Sequence, residues 1–235
     1  HLSLRRQRQM CIRDSTNADT VAALNEGVSH VDDLSDDDIQ EMIACGYEAT
    51  TDPTCISSSD FVVVCVPTPL GEAGSPDLRA VEAATTTVAR HLRSGTTYIL
   101  ESTTYPGTTD KVCVPLLEGL SKMSAGKDFH VAYSPERVDP GSKKFGIVNT
   151  PKLVGGIDED STARAQEFYG SFVDEVVAIQ GTKEAETAKL LENTFRHVNI
   201  ALVNEMAQFC HELDIDIWEV IRGASTKPFG FMPVS

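Results

Sequence analysis

A chain of 235 residues, 41% of them apolar, can bury one large domain or one and a half, and it has no apolar run long enough to span a bilayer. Its 35 acids against 20 bases give a net charge of -15, which argues against nucleic acid or an anionic membrane as a partner and leaves any phosphate group to be held locally. The six cysteines form no C-x-x-C pair and show no ligand spacing, so no metal site is expected; they read as reduced thiols of a cytoplasmic protein, with Cys65 and Cys113 placed in the core by the apolar runs around them.

Residues 1–15 stand apart. They hold Arg5, Arg6, Arg8 and Arg13 against the single acid Asp14, and the run from Arg6 to Ser15 resembles translated sequencing-adapter DNA. The segment is expected to be non-native and is left out of the fold reading. A helix is expected over 19–25, ended by Gly27, and a second over 36–44, opened by Ser35 with acids in its first turn and stopped by Gly46. Residues 61–66, Phe-Val-Val-Val-Cys-Val, read as a strand covered on both faces. A helix over 77–92, a strand over 97–101, a helix over 109–120, strands over 129–133 and 152–157, a helix over 161–170 and a strand over 173–179 follow. This β-α-β alternation predicts an α/β fold with a doubly wound parallel sheet.

Residues 184–213 run without Gly or Pro, which predicts one helix about 45 Å long. Ala188, Leu191, Phe195, Val198, Leu202, Met206, Phe209 and Leu213 recur at helical spacing and are expected to form a buried face. A polar stripe of Glu186, Lys189, Asn193, His197 and Asn204 follows the same period, and its lysine and asparagine are expected to look into an enclosed space. A last helix is expected over 215–222.

Ligands of such sheets bind at the carboxyl ends of the strands. Three strand ends here carry loops rich in proline and hydroxyls: Val66-Pro67-Thr68-Pro69, the run from Glu101 to Thr109 (Glu-Ser-Thr-Thr-Tyr-Pro-Gly-Thr-Thr), and the run from Tyr133 to Gly141 (Tyr-Ser-Pro-Glu-Arg-Val-Asp-Pro-Gly). Taken singly each is an ordinary turn; three on successive strands point to a shared site.

Those loops in that order, followed by a helix bearing Glu186-x-x-Lys189-x-x-x-Asn193, resemble the nucleotide-sugar 6-dehydrogenases from about Asn17 to the last residue. The resemblance implies an incomplete Rossmann-like NAD-binding domain over 16–181, then a long helix and the start of a helical dimerisation domain over 182–235. It implies NAD as cofactor, a UDP-sugar as substrate, a homodimer through the long helix, and four-electron oxidation of the sugar C6 alcohol through a cysteine-bound thiohemiacetal and thioester. Pro67, Thr68, Ser102 and Thr103 match positions at NAD, and Thr103 also matches a threonine that positions water. Glu136 matches the glutamate of thioester formation and hydrolysis, while Lys189 and Asn193 match the pair that stabilises the oxyanion and the sugar hydroxyls. Arg137, Val138, Asp139, Lys227 and Phe229 complete the implied substrate contacts.

The Ser134-Pro135-Glu136-Arg137 loop and the run from Thr226 to Pro233 look like the N-acetylhexosamine branch, with UDP-N-acetylglucosamine 6-dehydrogenases of surface-polysaccharide pathways nearest, and UDP-N-acetylmannosamine and UDP-glucose dehydrogenases as alternatives. A β-hydroxyacid dehydrogenase, or a non-catalytic dimerisation module, remains a more distant reading. The same resemblance puts the glycine-rich phosphate loop ahead of residue 16, and the catalytic cysteine and the UDP-binding domain after Ser235. Asp14 is then no substitute for the ribose acid, Cys210 is not the nucleophile, the chain alone is expected to be inactive, and part of the long helix's apolar surface is expected to be bare.

Overall fold

A computed structural model describes residues 12–14, 17–30, 34–71, 74–138 and 146–228. The chain divides into two compact units, residues 1–187 and 188–235.

The first unit begins with a parallel pair of short strands, β1 (Ile12–Asp14) and β2 (Glu48–Thr50). The three residues of β1 thus take part in a fold from which the sequence reading left them out. Between the strands lie α1 (Ala18–Asn25) and α2 (Asp36–Ala44). Asn17 caps α1 by accepting from the backbone of Asp19 and Thr20. Ser35 and Asp38 form a reciprocal capping box on α2, satisfying donors that a helix start leaves unpaired. Leu24, Ile39 and Ala49 make a small core there. The Asn25 side chain both accepts from and donates to the backbone of Ala49, which ties α1 to the edge of β2.

The main sheet has the order β3 (Phe61–Val64), β4 (Thr97–Leu100), β5 (His130–Tyr133), β6 (Lys152–Gly156) and β7 (Val176–Ala178). Successive side chains of a strand face opposite ways, and the two cores sort accordingly. Tyr98, Leu100, Val131 and Tyr133 join Val81, Val88 and Leu117 on one face, beneath α3 (Arg79–His91) and α4 (Val114–Ser121). Ile99, Ala132 and Val154 join Ala165 and Tyr169 on the other, beneath α5 (Glu159–Gly170). The central strands are therefore buried on both sides, although it was for residues 61–66 that cover on both faces was expected. β3 is not: only Val64 is buried there, because the strand sits at the edge of the five-stranded order.

One strand runs against expectation. β3, β4 and β5 are parallel, but β6 is antiparallel to β5, with Ala132 opposite Gly156 and Tyr133 opposite Gly155. A parallel return needs a crossover, usually a helix. None of the described residues between β5 and β6 is helical, so the chain enters β6 at the end where it left β5. The helix α5 does cross over between β6 and β7, and that pair is parallel.

The long helix α6 (Thr182–Glu212) starts in the first unit and continues through the second, where α7 (Ile217–Ala224) follows it. It ends where Asp214 takes a left-handed backbone and Ile215 donates to the carbonyl of Cys210. The face predicted to be buried is open instead. Leu191 is 67% exposed, Leu202 58%, and Trp218 of α7 68%, while Phe195, Val198, Met206, Phe209 and Leu213 are exposed as well. This fits the expectation of a bare apolar surface and overturns that of a face buried within the chain. Among the described residues no helix is long and apolar enough to cross a membrane.

The end of β6 packs backbone to backbone on the turn that opens α6. A Cβ at Gly155 would lie 2.1 Å from the Gly181 carbonyl oxygen. Gly155→Ala is expected to lower stability by about 1–3 kcal/mol through overpacking, read as a fall in the denaturant midpoint by circular dichroism. An unchanged midpoint would show that the two turns separate at no cost.

Candidate functional site

Because β3, β4 and β5 are parallel neighbours, the three loops picked out in the sequence leave the sheet side by side at its carboxyl end. The first two are locked together. The Ser102 hydroxyl accepts from the Val66 N–H at 2.9 Å and donates to the Val66 carbonyl at 2.7 Å. The Thr68 hydroxyl donates to the Thr103 carbonyl at 2.6 Å. Ser102 is buried, Thr103 and Pro67 are exposed, and Thr68 is half-buried. The Ser102 side chain is thus engaged in holding the loops, whereas the Thr103 side chain is open to a ligand. Next to them the buried Thr104 hydroxyl has no partner among the described residues. This hydroxyl-lined edge fits the ribose or amide of a dinucleotide.

The second loop is also fixed to the start of α6. The Glu186 carboxylate, fully buried, accepts from the Gly107 N–H, from the Thr109 N–H at 2.9 Å and from the Thr109 hydroxyl at 2.8 Å. It caps the π-helical turn Thr109–Cys113 that runs into α4. Burial raises its pKa from the ordinary carboxylate value, and the three hydrogen bonds offset only part of that. Thr182 and Lys183 both reach Asp110, at 2.5 and 3.2 Å, and complete the junction.

Around the third loop lies an ionic cluster that the sequence reading did not single out. Lys152, the first residue of β6, forms an ion pair with Glu101, the residue after β4. The Tyr169 hydroxyl donates to Glu101 at 2.8 Å, and the Lys152 ammonium lies 5.1 Å from the centre of the Tyr169 ring. Glu136 Oε2 is 3.6 Å from the same ammonium, while its Oε1 accepts from the Val138 N–H at 2.5 Å. Arg137 donates to the Pro151 carbonyl at 2.8 Å, so the loop is pinned to the start of β6. Burial raises the pKa of Glu101, with Lys152 opposing. For Glu136 burial also pulls upward, but the Lys152 charge and the Val138 N–H outweigh it, and its pKa lies below the ordinary value. The cluster borders a cavity of about 270 Å³ whose apolar wall includes Val63, Ile147, Phe168 and Phe172.

Cys65, expected in the core, lies beyond the last residue of β3 and is exposed, with its sulfur 3.9 Å from Glu101. Lost hydration and the adjacent carboxylate push its thiol up to about 12, so it carries no thiolate at neutral pH. Cys113 and Cys210 are buried. Lys189 and Asn193 belong to the second unit, four residues apart on α6 and half-buried, and Lys227 beyond α7 is exposed. Asp139 and Phe229 lie outside the described residues. Lys152 could have been found from its position, a lone charge opening the apolar strand Lys-Leu-Val-Gly-Gly; Glu101 stood in plain view as the first residue of the second loop.

Removing the Glu186 carboxylate would leave two buried N–H groups without their acceptor. Glu186→Ala is expected to cost on the order of 3 kcal/mol in a denaturant titration, and Glu186→Gln less, since its amide oxygen still accepts. Equal losses for the two variants would remove the hydrogen bonds as the cause.

Comparison with known proteins agrees with this geometry. The NAD binding domain of the UDP-glucose/GDP-mannose dehydrogenase family matches residues 4–173, and the central domain of that family matches residues 183–235. The chain is 38% identical over 213 residues to UDP-N-acetyl-D-mannosamine dehydrogenase of Pyrococcus horikoshii, covering 90% of this chain and 50% of that protein. It is 36% identical over 222 residues to UDP-N-acetyl-D-glucosamine 6-dehydrogenase of Salmonella typhi, covering 92% and 51%. The solved structure of the Pyrococcus horikoshii UDP-D-ManNAc dehydrogenase superposes with a TM-score of 0.87 at 36% identity, over 93% of this chain and 52% of that one. The chain thus spans about half the length of the curated relatives it matches. With the hydroxyl-lined loops at the sheet's carboxyl end and both domain matches in sequence order, the chain belongs to the UDP-glucose/GDP-mannose dehydrogenase family, and its first unit carries that family's NAD-binding domain.

Proposed function

We propose that this chain is the NAD-binding and central-helix part of a UDP-N-acetylhexosamine 6-dehydrogenase acting on UDP-N-acetylglucosamine in the cytoplasm, for surface polysaccharide synthesis. The overall change is the alcohol plus water and two NAD to the carboxylate, two NADH and three protons. NAD supplies the hydride acceptor in both oxidations. The observation that carries the reading is Glu136, a carboxylate on the loop beyond β5, 3.6 Å from the Lys152 ammonium, which favours its ionised form; β5 itself lies next to β4, which carries the hydroxyl-lined loop. An ionised carboxylate at that place accepts a hydrogen bond from water and can orient it for attack on a thioester, as the hydrolysis requires.

In this reading the remaining roles fall to the other residues that the resemblance matches. Pro67, Thr68, Ser102 and Thr103 form the edge that holds NAD, Ser102 by fixing the loop and Thr103 through its open hydroxyl. Lys189 and Asn193 present an ammonium and an amide from one face of α6, chemistry that suits an oxyanion and sugar hydroxyls. Arg137, Val138, Asp139, Lys227 and Phe229 complete the substrate contacts. The exposed apolar residues of α6 and α7 are assigned to a homodimer contact with a second copy of the chain, since a solvated stripe of this size is otherwise unfavourable. UDP-N-acetylmannosamine is the second reading, favoured by the 38% identity to the dehydrogenase named for that sugar.

A full-length protein carrying this sequence, given NAD and each UDP-sugar in turn, is expected to reduce NAD with UDP-N-acetylglucosamine and to leave UDP-glucose largely unreacted. Preference for UDP-N-acetylmannosamine would select the second reading, and no reduction with any nucleotide sugar would end both. Glu136→Gln is expected to lower kcat at least on the order of a hundredfold in the same assay; a rate near that of the unaltered protein would take Glu136 out of the chemistry.

A further inference from the structure

We propose that Lys152 is the positioning residue of this site: anchored by Glu101, its ammonium holds the Glu136 carboxylate in place and in its ionised form. The inference rests on the role proposed for Glu136 and goes beyond it, since the lysine and its anchor lie outside the motifs that led to that role.

The geometry separates a buried pair of charges from a more exposed one. The Lys152 side chain is 9% exposed and that of Glu101 13%, whereas that of Glu136 is 48% exposed. Lys152 is held on three sides, by the Glu101 carboxylate, by the face of the Tyr169 ring, and by the packing of β6 between β5 and β7. Glu101 is in turn fixed by the Tyr169 hydroxyl. A buried lysine and a buried glutamate already balance each other, so the pair would be complete without a second acid. Glu136 is nevertheless drawn to within 3.6 Å of the same ammonium, too far for a good hydrogen bond and close enough for a strong charge interaction. The more exposed carboxylate is thus oriented by a buried cation.

The titratable and charged groups around Glu136 come from every neighbouring element. Among the described residues they include Cys65 after β3, Glu101 after β4, Arg137 on its own loop, Lys152 on β6 and Tyr169 on α5. Cys65 and Tyr169 stay protonated at neutral pH, the thiol because lost hydration pushes it up to about 12 and the phenol because burial raises it well above its usual range. Burial opposes ionisation of Glu136, whereas Lys152, the Val138 N–H and a side-chain hydrogen bond with Glu101 favour it. Lys152 is the cation of this set in contact with the Glu136 carboxylate. Removing it raises the pKa of Glu136, so the base form is lost at higher pH and the acid limb of the rate profile moves upward.

The test uses the full-length protein with Lys152→Met, with Lys152→Arg, and with Lys152→Met combined with Glu101→Gln. The double change removes both buried charges and spares the fold an unpaired carboxylate, should the single change fail to fold. Two readouts are taken: kcat against pH by NADH absorbance, and the titration of the Glu136 carboxyl by carbon NMR, assigned through its loss in Glu136→Gln. The expected result for the double variant is a loss of kcat on the order of tenfold greater at the acid end of the profile than at the alkaline end. An upward shift of the Glu136 titration should accompany it, and Lys152→Arg should restore both. A protein that turns over UDP-sugar with profile and titration unmoved by these changes would overturn the inference and leave the proposed function standing. Should the unaltered protein reduce no NAD, the proposed function fails, and the NMR titration alone decides: a shift supports the Lys152 role and an unmoved signal rejects it.

Discussion

Since β6 enters the sheet at the end where β5 leaves it, the first residue of β6 lies among the carboxyl ends of β3, β4 and β5. In a sheet of uniform direction that residue would sit at the opposite end, far from any ligand loop. The reversal therefore brings a cation, Lys152, to the place where Glu101 and Glu136 emerge from their strands. It also leaves the end of β6 to pack against the turn at Gly181, where the absence of a side chain at Gly155 allows α6 to start close to the sheet. A single change of strand direction thus sets both the electrostatics of the third loop and the origin of the long helix.

The ionic cluster is expensive to assemble. Each charge taken out of water costs roughly several kcal/mol, and a pair recovers this only with good geometry and further hydrogen bonds. Those are present for Glu101, which meets both the ammonium and the Tyr169 hydroxyl. Tyr169 serves two layers at once: its ring packs among Phe168 and Phe172 in the core, and its polar end reaches the site. Phe168 and Tyr169 of α5, with Phe172 just beyond it, therefore pack directly behind the charges.

The order of elements was legible because the sheet is covered on both faces, so each strand is a short apolar run bounded by helices of helical period. Lys152–Gly156 was legible as a strand but not in its direction, for nothing in Lys-Leu-Val-Gly-Gly records which way its neighbour runs. The error over Cys65 has the same origin: the apolar run continues past Val64, but pairing stops there and the chain turns out into the loop. On α6 the spacing of Leu191, Phe195, Val198 and Leu202 correctly gave a helix and an apolar face. Periodicity says which residues share a face; it does not say whether the cover comes from the same chain. Within the site, the loops were readable from their hydroxyls and prolines. The anchors behind them were not, because Lys152 pairs with Glu101, 51 positions away, and Glu186 with residues 77 and 79 positions away, and such distances leave no local pattern.

These two anchors divide the work at the carboxyl end of the sheet. Glu186 is a buried anion set on backbone N–H groups at a helix start, where the peptide dipoles favour negative charge. It fixes the backbone of the β4 loop, and with it the threonines at positions 103 and 104. Lys152 is a buried cation set among carboxylates, and it acts on a side chain rather than on the backbone. A loop that positions a cofactor must keep one shape, which a backbone clamp supplies. A carboxylate that exchanges protons with water must stay accessible, so it is better steered by a fixed charge nearby than held by saturated hydrogen bonds. The buried Glu186 and the half-exposed Glu136 are accordingly the same chemical group in opposite settings, the first closed off from water and the second left open to it.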